Sequence, residues 1–139
     1  MKTLLISHPS LIVPEGYRAI IEITYKSANR ECHLALCQGE RTYLIVFPDT
    51  VAFRVMDERE MGEFWSDNIE YSSFIQGSVI FRVEAGGWRG QNSHLDAGIE
   101  EGYFGNGEVS EYVVTSHYEC LNIISASPTF NEITSGANL

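Results

Sequence analysis

Asp96, Glu100, Glu101, Glu108 and Glu111 crowd one stretch of the chain, with glycines at 98, 102, 105 and 107 among them. Carboxylates beside glycines are the raw material of a calcium loop. A calcium loop of the EF-hand kind needs oxygen ligands at its positions 1, 3, 5 and 12 and glycine at position 6. Counted from Asp96, position 3 is Gly98 and position 6 is Glu101, so the pattern fails. A phosphate cradle needs glycines in a set order, a lysine and a following helix. Gly102, Gly105 and Gly107 stand in another order, no lysine accompanies them, and strand-forming residues follow.

Other chemistry is equally thin. The histidines are His8, His33, His94 and His117, and His94 with Asp96 is the one local pair with metal-ligand character. Cys32, Cys37 and Cys120 are an odd set without CxxC spacing, so neither a disulfide scaffold nor a zinc knuckle is indicated. Cys32 and His33 are adjacent and face opposite ways in a strand. The same alternation disfavours a dyad of His117 and Cys120. No G-x-S-x-G is present. A hydrolase built on His94, Asp96 or Glu100 lacks any pocket that the sequence displays. The chain therefore reads as non-enzymatic, with no catalytic residue, metal or cofactor.

The elements around these residues alternate like strands. With 139 residues, 44% of them hydrophobic, the chain suits one globular domain spanning 1–139. Strands are expected at 1–7, 17–26, 31–37, 41–48, 51–56 and 74–84, and again over 111–125, as one long strand or a tight hairpin. In the second of these, Ala19, Ile21, Ile23 and Tyr25 are expected on one face and Glu22, Thr24 and Lys26 on the other. "TYLIVF" is apolar on both faces and reads as central and twice covered. Short turns between the strands over 17–56 argue antiparallel hairpins. "DEREMGEFWSDN" predicts the single short helix, near 58–66, with Asp57 and Glu60 as a capping box and Met61, Phe64 and Trp65 as its apolar stripe. The expected fold is mainly β, all-β or α+β, an antiparallel sheet or sandwich of about six to eight strands. A long Gly-rich acidic loop is expected at about 86–110 and a frayed tail from about 134.

Charge is the strongest bulk signal. Net charge is -10, and residues 90–139 hold seven acidic groups and no lysine or arginine. Residues 1–56 are nearly balanced, with six basic and five acidic groups. Such a field repels nucleic acid and anionic membrane surfaces and attracts basic proteins. No apolar run approaches the ~20 residues of a membrane helix. "MKTLLIS" opens like a secretion signal, but its apolar part is short and His8-Pro9 follows, so a cytoplasmic location is expected.

"YRAIIEITY", "RTYLIVF", "FRVMDE" at 53–58 and "HYECLNIISASP" at 117–128 resemble small bacterial immunity proteins of polymorphic and contact-dependent growth-inhibition toxin systems. That resemblance implies a protein that binds and neutralises a cognate toxin in the cytosol. Charge adds that the toxin should be basic, of the nuclease type, because a cleft that holds phosphates is itself basic. The expected partner-binding residues are Asp96, Glu100, Glu101, Tyr103, Phe104, Glu108 and Glu111, charge for steering and aromatics for anchoring. The alternative is a small β-barrel or sandwich that binds an apolar small-molecule ligand, with the loop as lid and Trp88 as wall.

Overall fold

The computed structural model describes residues 4–7, 18–61, 79–88 and 109–133. Its strands are β1 (Leu4–Ser7), β2 (Arg18–Lys26), β3 (Glu31–Gln38), β4 (Arg41–Phe47), β5 (Ala52–Asp57), β6 (Ile80–Ala85), β7 (Ser110–Val114), β8 (Glu119–Ser125) and β9 (Thr129–Ile133). They form a five-stranded sheet in the order β1-β6-β7-β8-β5 and a four-stranded sheet in the order β2-β3-β4-β9. Every pairing is antiparallel. The mainly β, antiparallel expectation holds.

The two sheets pack face to face because each offers one apolar side. Cys32, Leu34, Leu36, Tyr43, Ile45 and Phe47 from the four-stranded sheet meet Ile80, Tyr112, Val114, Leu121 and Ile123 from the five-stranded one. The Phe47 and Tyr112 rings lie 6.1 Å apart across this layer. Each fully buried side chain of this size stabilises by about 1.5–3 kcal/mol over exposure. These residues form one packed cluster between the sheets.

The five-stranded sheet has a second buried face. Leu5, Phe81, Val83, Val113 and Cys120 cluster there with Met61, and Met56 packs against them. Met61 comes from a 3-10 turn, Glu58–Met61. The short helix expected near 58–66 is thus a single 3-10 turn at its start, and the rest of that span lies outside the described residues. Asp57 caps it by accepting from the Arg59 backbone N–H at 2.9 Å, and its carboxylate also takes Arg59 Nε at 2.9 Å.

Several expectations are corrected. The strands over 17–56 do not all pair as consecutive hairpins: β5 leaves β4 and joins β8 in the other sheet. The corner is the "PDT" turn. Pro48 has no N–H with which to prolong the ladder, Asp49 adopts φ 48°, and Thr50 donates from its backbone to Arg30 O and from its hydroxyl to Phe47 O, both at 2.9 Å. β4 is central within its sheet, but Leu44 and Val46 are only half-buried. The strands covered on both faces are β7 and β8, which form the tight hairpin of the two options open for 111–125. Ahead of the tail expected from about 134, Thr129–Ile133 form a strand that was not expected, β9, paired to β4 with Phe130 packed against the core. In β2 the register shifts between Ile20 and Glu22. Ile20 takes the inward place and Ile21 is the extra residue of a bulge, while Ala19 sits opposite Cys37 on the outer face. Ile23 and Tyr25 stay inward and Glu22, Thr24 and Lys26 outward. Among the described residues no helix is long and apolar enough to cross a membrane.

Two outcomes are expected. Phe47→Ala should cost about 3–5 kcal/mol, because a large ring leaves the inter-sheet layer; urea unfolding with a loss under about 1 kcal/mol would contradict this packing. Hydrogen bonds from the Arg59 side chain, then from its backbone, lower Asp57 from 3.8 to about 2. A depressed carboxyl stabilises above its unfolded pKa and loses that contribution as pH falls through the folded one. Asp57→Asn should therefore lower Tm slightly at neutral pH, and the gap should close as pH falls from about 4 to about 2. A gap that is constant over that range would show the cap to be irrelevant.

Candidate functional site

The acidic segment leaves the five-stranded sheet at Trp88 and returns at Val109, and both ends are fixed at one place. Trp88 packs with Val51 and Ala52 against buried Val109 and Ile124. β6 ends at Gly86 and Gly87, with φ 72° and 63°. A Cβ on Gly87 would lie 2.6 Å from Glu111 Oε2 and 2.7 Å from Val83 Cγ1. Only glycine supplies both the left-handed φ and the closeness.

The reason for that closeness is Glu111. Its side chain is fully buried. Oε2 accepts the Trp88 backbone N–H at 2.8 Å and Asn122 Nδ2 at 2.9 Å. Asn122 Nδ2 also reaches Tyr112 O at 3.2 Å, while Asn122 Oδ1 accepts Arg54 Nε at 2.9 Å. The Arg54 guanidinium carbon stands 4.6 Å from the centre of the Trp88 ring, a cation–π contact. The path therefore runs from Arg54 through Asn122 to Glu111 and Trp88, and closes on Arg54. A reversed Asn122 amide would set donor against donor and acceptor against acceptor, so its orientation is fixed by both neighbours.

Register explains how the sequence assembles this. Asn122 is opposite Arg54 on β5 and Val113 on β7. Glu111 lies two residues before Val113, on the same face and diagonal to Asn122. Each strand thus places one polar residue in an apolar row: Arg54 between Ala52 and Met56, Asn122 between Cys120 and Ile124, Glu111 beside Val113. That was the readable signal, and it was missed.

Glu111 is accordingly corrected: it is a buried anchor facing the sheet rather than a surface contact for a partner. Asp96, Glu100, Glu101, Tyr103, Phe104 and Glu108 lie outside the described residues, as does His94. Cys32 is in the core and His33 is on the outer face, as alternation requires. Burial pushes the Cys32 thiol up to about 11, which keeps it protonated and unreactive. Cys120 is buried, whereas exposed His117 uses Nδ1 to accept the Arg18 backbone N–H at 2.9 Å. Among the described residues no three His, Cys, Asp or Glu side chains are grouped to hold a metal.

A second concave feature lies on the outer face of the four-stranded sheet. It is an open depression of about 460 Å³, with Ala35, Leu44 and Ile133 as floor and Glu22, Thr24, Lys26 and His33 as rim. His33 Nε2 is 3.0 Å from Glu31 Oε1. Trp88, expected as the wall of a ligand pocket, is on the other sheet.

Gly87→Ala should destabilise by about 1–3 kcal/mol through the left-handed φ and the clash with Glu111. Glu111→Ala should cost at least as much, since Asn122 and the Trp88 N–H lose an acceptor while buried. Unchanged urea midpoints in both variants would refute the anchor.

No family model, no curated protein and no solved structure matches the chain, so the functional reading rests on its own residues.

Proposed function

We propose that the chain is a non-enzymatic acidic binding protein, an immunity-type protein that binds and neutralises a cognate basic toxin of the nuclease class. The observation that carries this is an acidic segment held at both ends. Residues 89–108 contain Asp96, Glu100, Glu101 and Glu108 against the single Arg89. Trp88 and Val109, which flank that segment, are held at one place on the five-stranded sheet.

The cations of the described residues do little to offset that field. Arg41 pairs with Glu132 at 3.6 Å, Arg59 with Asp57 at 2.9 Å, and Arg82 Nε with Glu84 at 2.6 Å. Arg54 is bound to Asn122, and buried Arg18 donates to Thr115 Oγ1 at 3.2 Å. Desolvation lowers the Arg18 pKa. The chain carries ten more negative than positive charges, and residues 90–139 hold seven acidic groups and no lysine or arginine. A basic cleft is steered to such a surface, and Tyr103 and Phe104 supply side chains able to desolvate on contact. The strands that carry the family resemblance, β5 and β8, pair directly and hold two corners of the clamp.

The second reading is a binder of small apolar ligands. The open depression on the four-stranded sheet favours it.

Calorimetry with the product of the neighbouring gene tests the leading reading. A complex should form. Neutralising Glu100, Glu101 and Glu108 together to glutamine should weaken it on the order of tenfold or more at low salt and flatten its salt dependence. Absence of binding would overturn the proposal; unchanged affinity in the triple variant would move the interface elsewhere.

A further inference from the structure

Among the described residues β2 is an end strand of its sheet; His117 holds the backbone of its first residue, Arg18, and the stretch from Ile21 to Lys26 is largely exposed. Ile21 is 49% exposed and Tyr25 41%. The Tyr25 ring stands 5.6 Å from Phe53 of β5, itself an end strand of the other sheet. Val55 on β5 is 47% exposed. Among the described residues, three of the four large exposed hydrophobic side chains therefore lie on the two end strands that meet on one side of the sandwich. An end strand with an apolar fringe is a template for another strand.

The charge pattern of β2 says which strand. Beyond the bulge, Glu22 to Lys26 is regular, with Glu22, Thr24 and Lys26 outward. Thr24 Oγ1 donates to Glu22 Oε1 at 3.0 Å and holds that carboxylate on the outer face. We propose that β2 pairs antiparallel with β2 of a second copy of this chain, about a two-fold axis at Thr24. Glu22 then faces Lys26 of the other copy, twice, and Ile23 faces Tyr25, twice. The sheets join into one of eight strands, and the two outer depressions become neighbours.

Other two-fold registers fail on faces or charge. Registers that mix inward with outward residues are excluded by the pleat. Centring on Glu22 or on Lys26 sets like charges opposite each other. Centring on Ile23 sets Lys26 against the inward-facing Ile20 beyond the bulge. Centring on Tyr25 leaves both Glu22 residues without a lysine. Only the register at Thr24 matches both charges and both faces. β2 also belongs to residues 1–56, where six basic groups balance five acidic ones. The net repulsion between copies thus originates elsewhere in the chain. Lysine on an end strand and a bulge normally deter pairing. Here the bulge precedes the paired stretch, and Lys26 gains a carboxylate.

Sedimentation equilibrium of the full chain tests this, with circular dichroism to verify folding of each variant. The wild type should show a concentration-dependent dimer. Glu22→Lys and Lys26→Glu should each weaken it on the order of tenfold, because two attractive pairs become repulsive. The double substitution, and an equimolar mixture of the two single variants, should restore it. A wild type that stays monomeric at all concentrations overturns the proposal. So does a dimer that neither single substitution disturbs, or one that mixing does not recover. If β2 amides gain protection from exchange only when a foreign protein is added, the edge serves a different partner and the proposal falls.

Discussion

The fold has to house a carboxylate in a sheet covered on both faces. Taking Glu111 out of water costs several kcal/mol unless donors meet it. The backbone N–H of Trp88 and the amide of Asn122 do so. Neither can be there without other choices. Trp88 arrives only because Gly86 and Gly87 turn left-handed and Gly87 carries no side chain. Asn122 is aligned by Arg54 from the neighbouring strand. One buried carboxyl group thus dictates a turn, a glycine, an amide orientation and the placing of a cation.

The consequence is a division of labour between the sheets. The five-stranded sheet is buried on both sides, by the inter-sheet core and by the cluster around Met61. It carries the clamp. The four-stranded sheet is buried on one side and presents a shallow depression and an open end strand on the other. The acidic segment is therefore attached to the more buried layer. A charged segment with both ends fixed loses less freedom on docking than a free terminus does, which favours affinity.

Much of the fold was legible in the sequence because alternation has a physical cause. Period-two patterning marked β2 and β5, apolar strand-forming runs marked β4 and the 111–125 stretch, and short turns implied antiparallel pairing. Sheet membership was not legible. The turn at Pro48–Thr50 looks like any hairpin turn, yet β5 crosses to the other layer, and only long-range pairing with β8 decides that. β9 was hidden because "TFNEI" is half polar, as a strand with one solvated face must be. The bulge at Ile21 shifted half of β2 because one inserted residue inverts every side chain before it. At the candidate site, charge located the segment but misjudged Glu111. A carboxylate two residues from Val113 on one face is visible in sequence; that the face is covered is not, since Met61 and Leu5 arrive from distant parts of the chain.

We propose that this acidic chain neutralises a basic toxin by direct binding. Growth of cells producing the neighbouring gene product, with and without this chain, measures that most directly. The account predicts that the product alone arrests growth and that co-production of the chain restores it. Arrest that persists at full expression of a folded chain would contradict it.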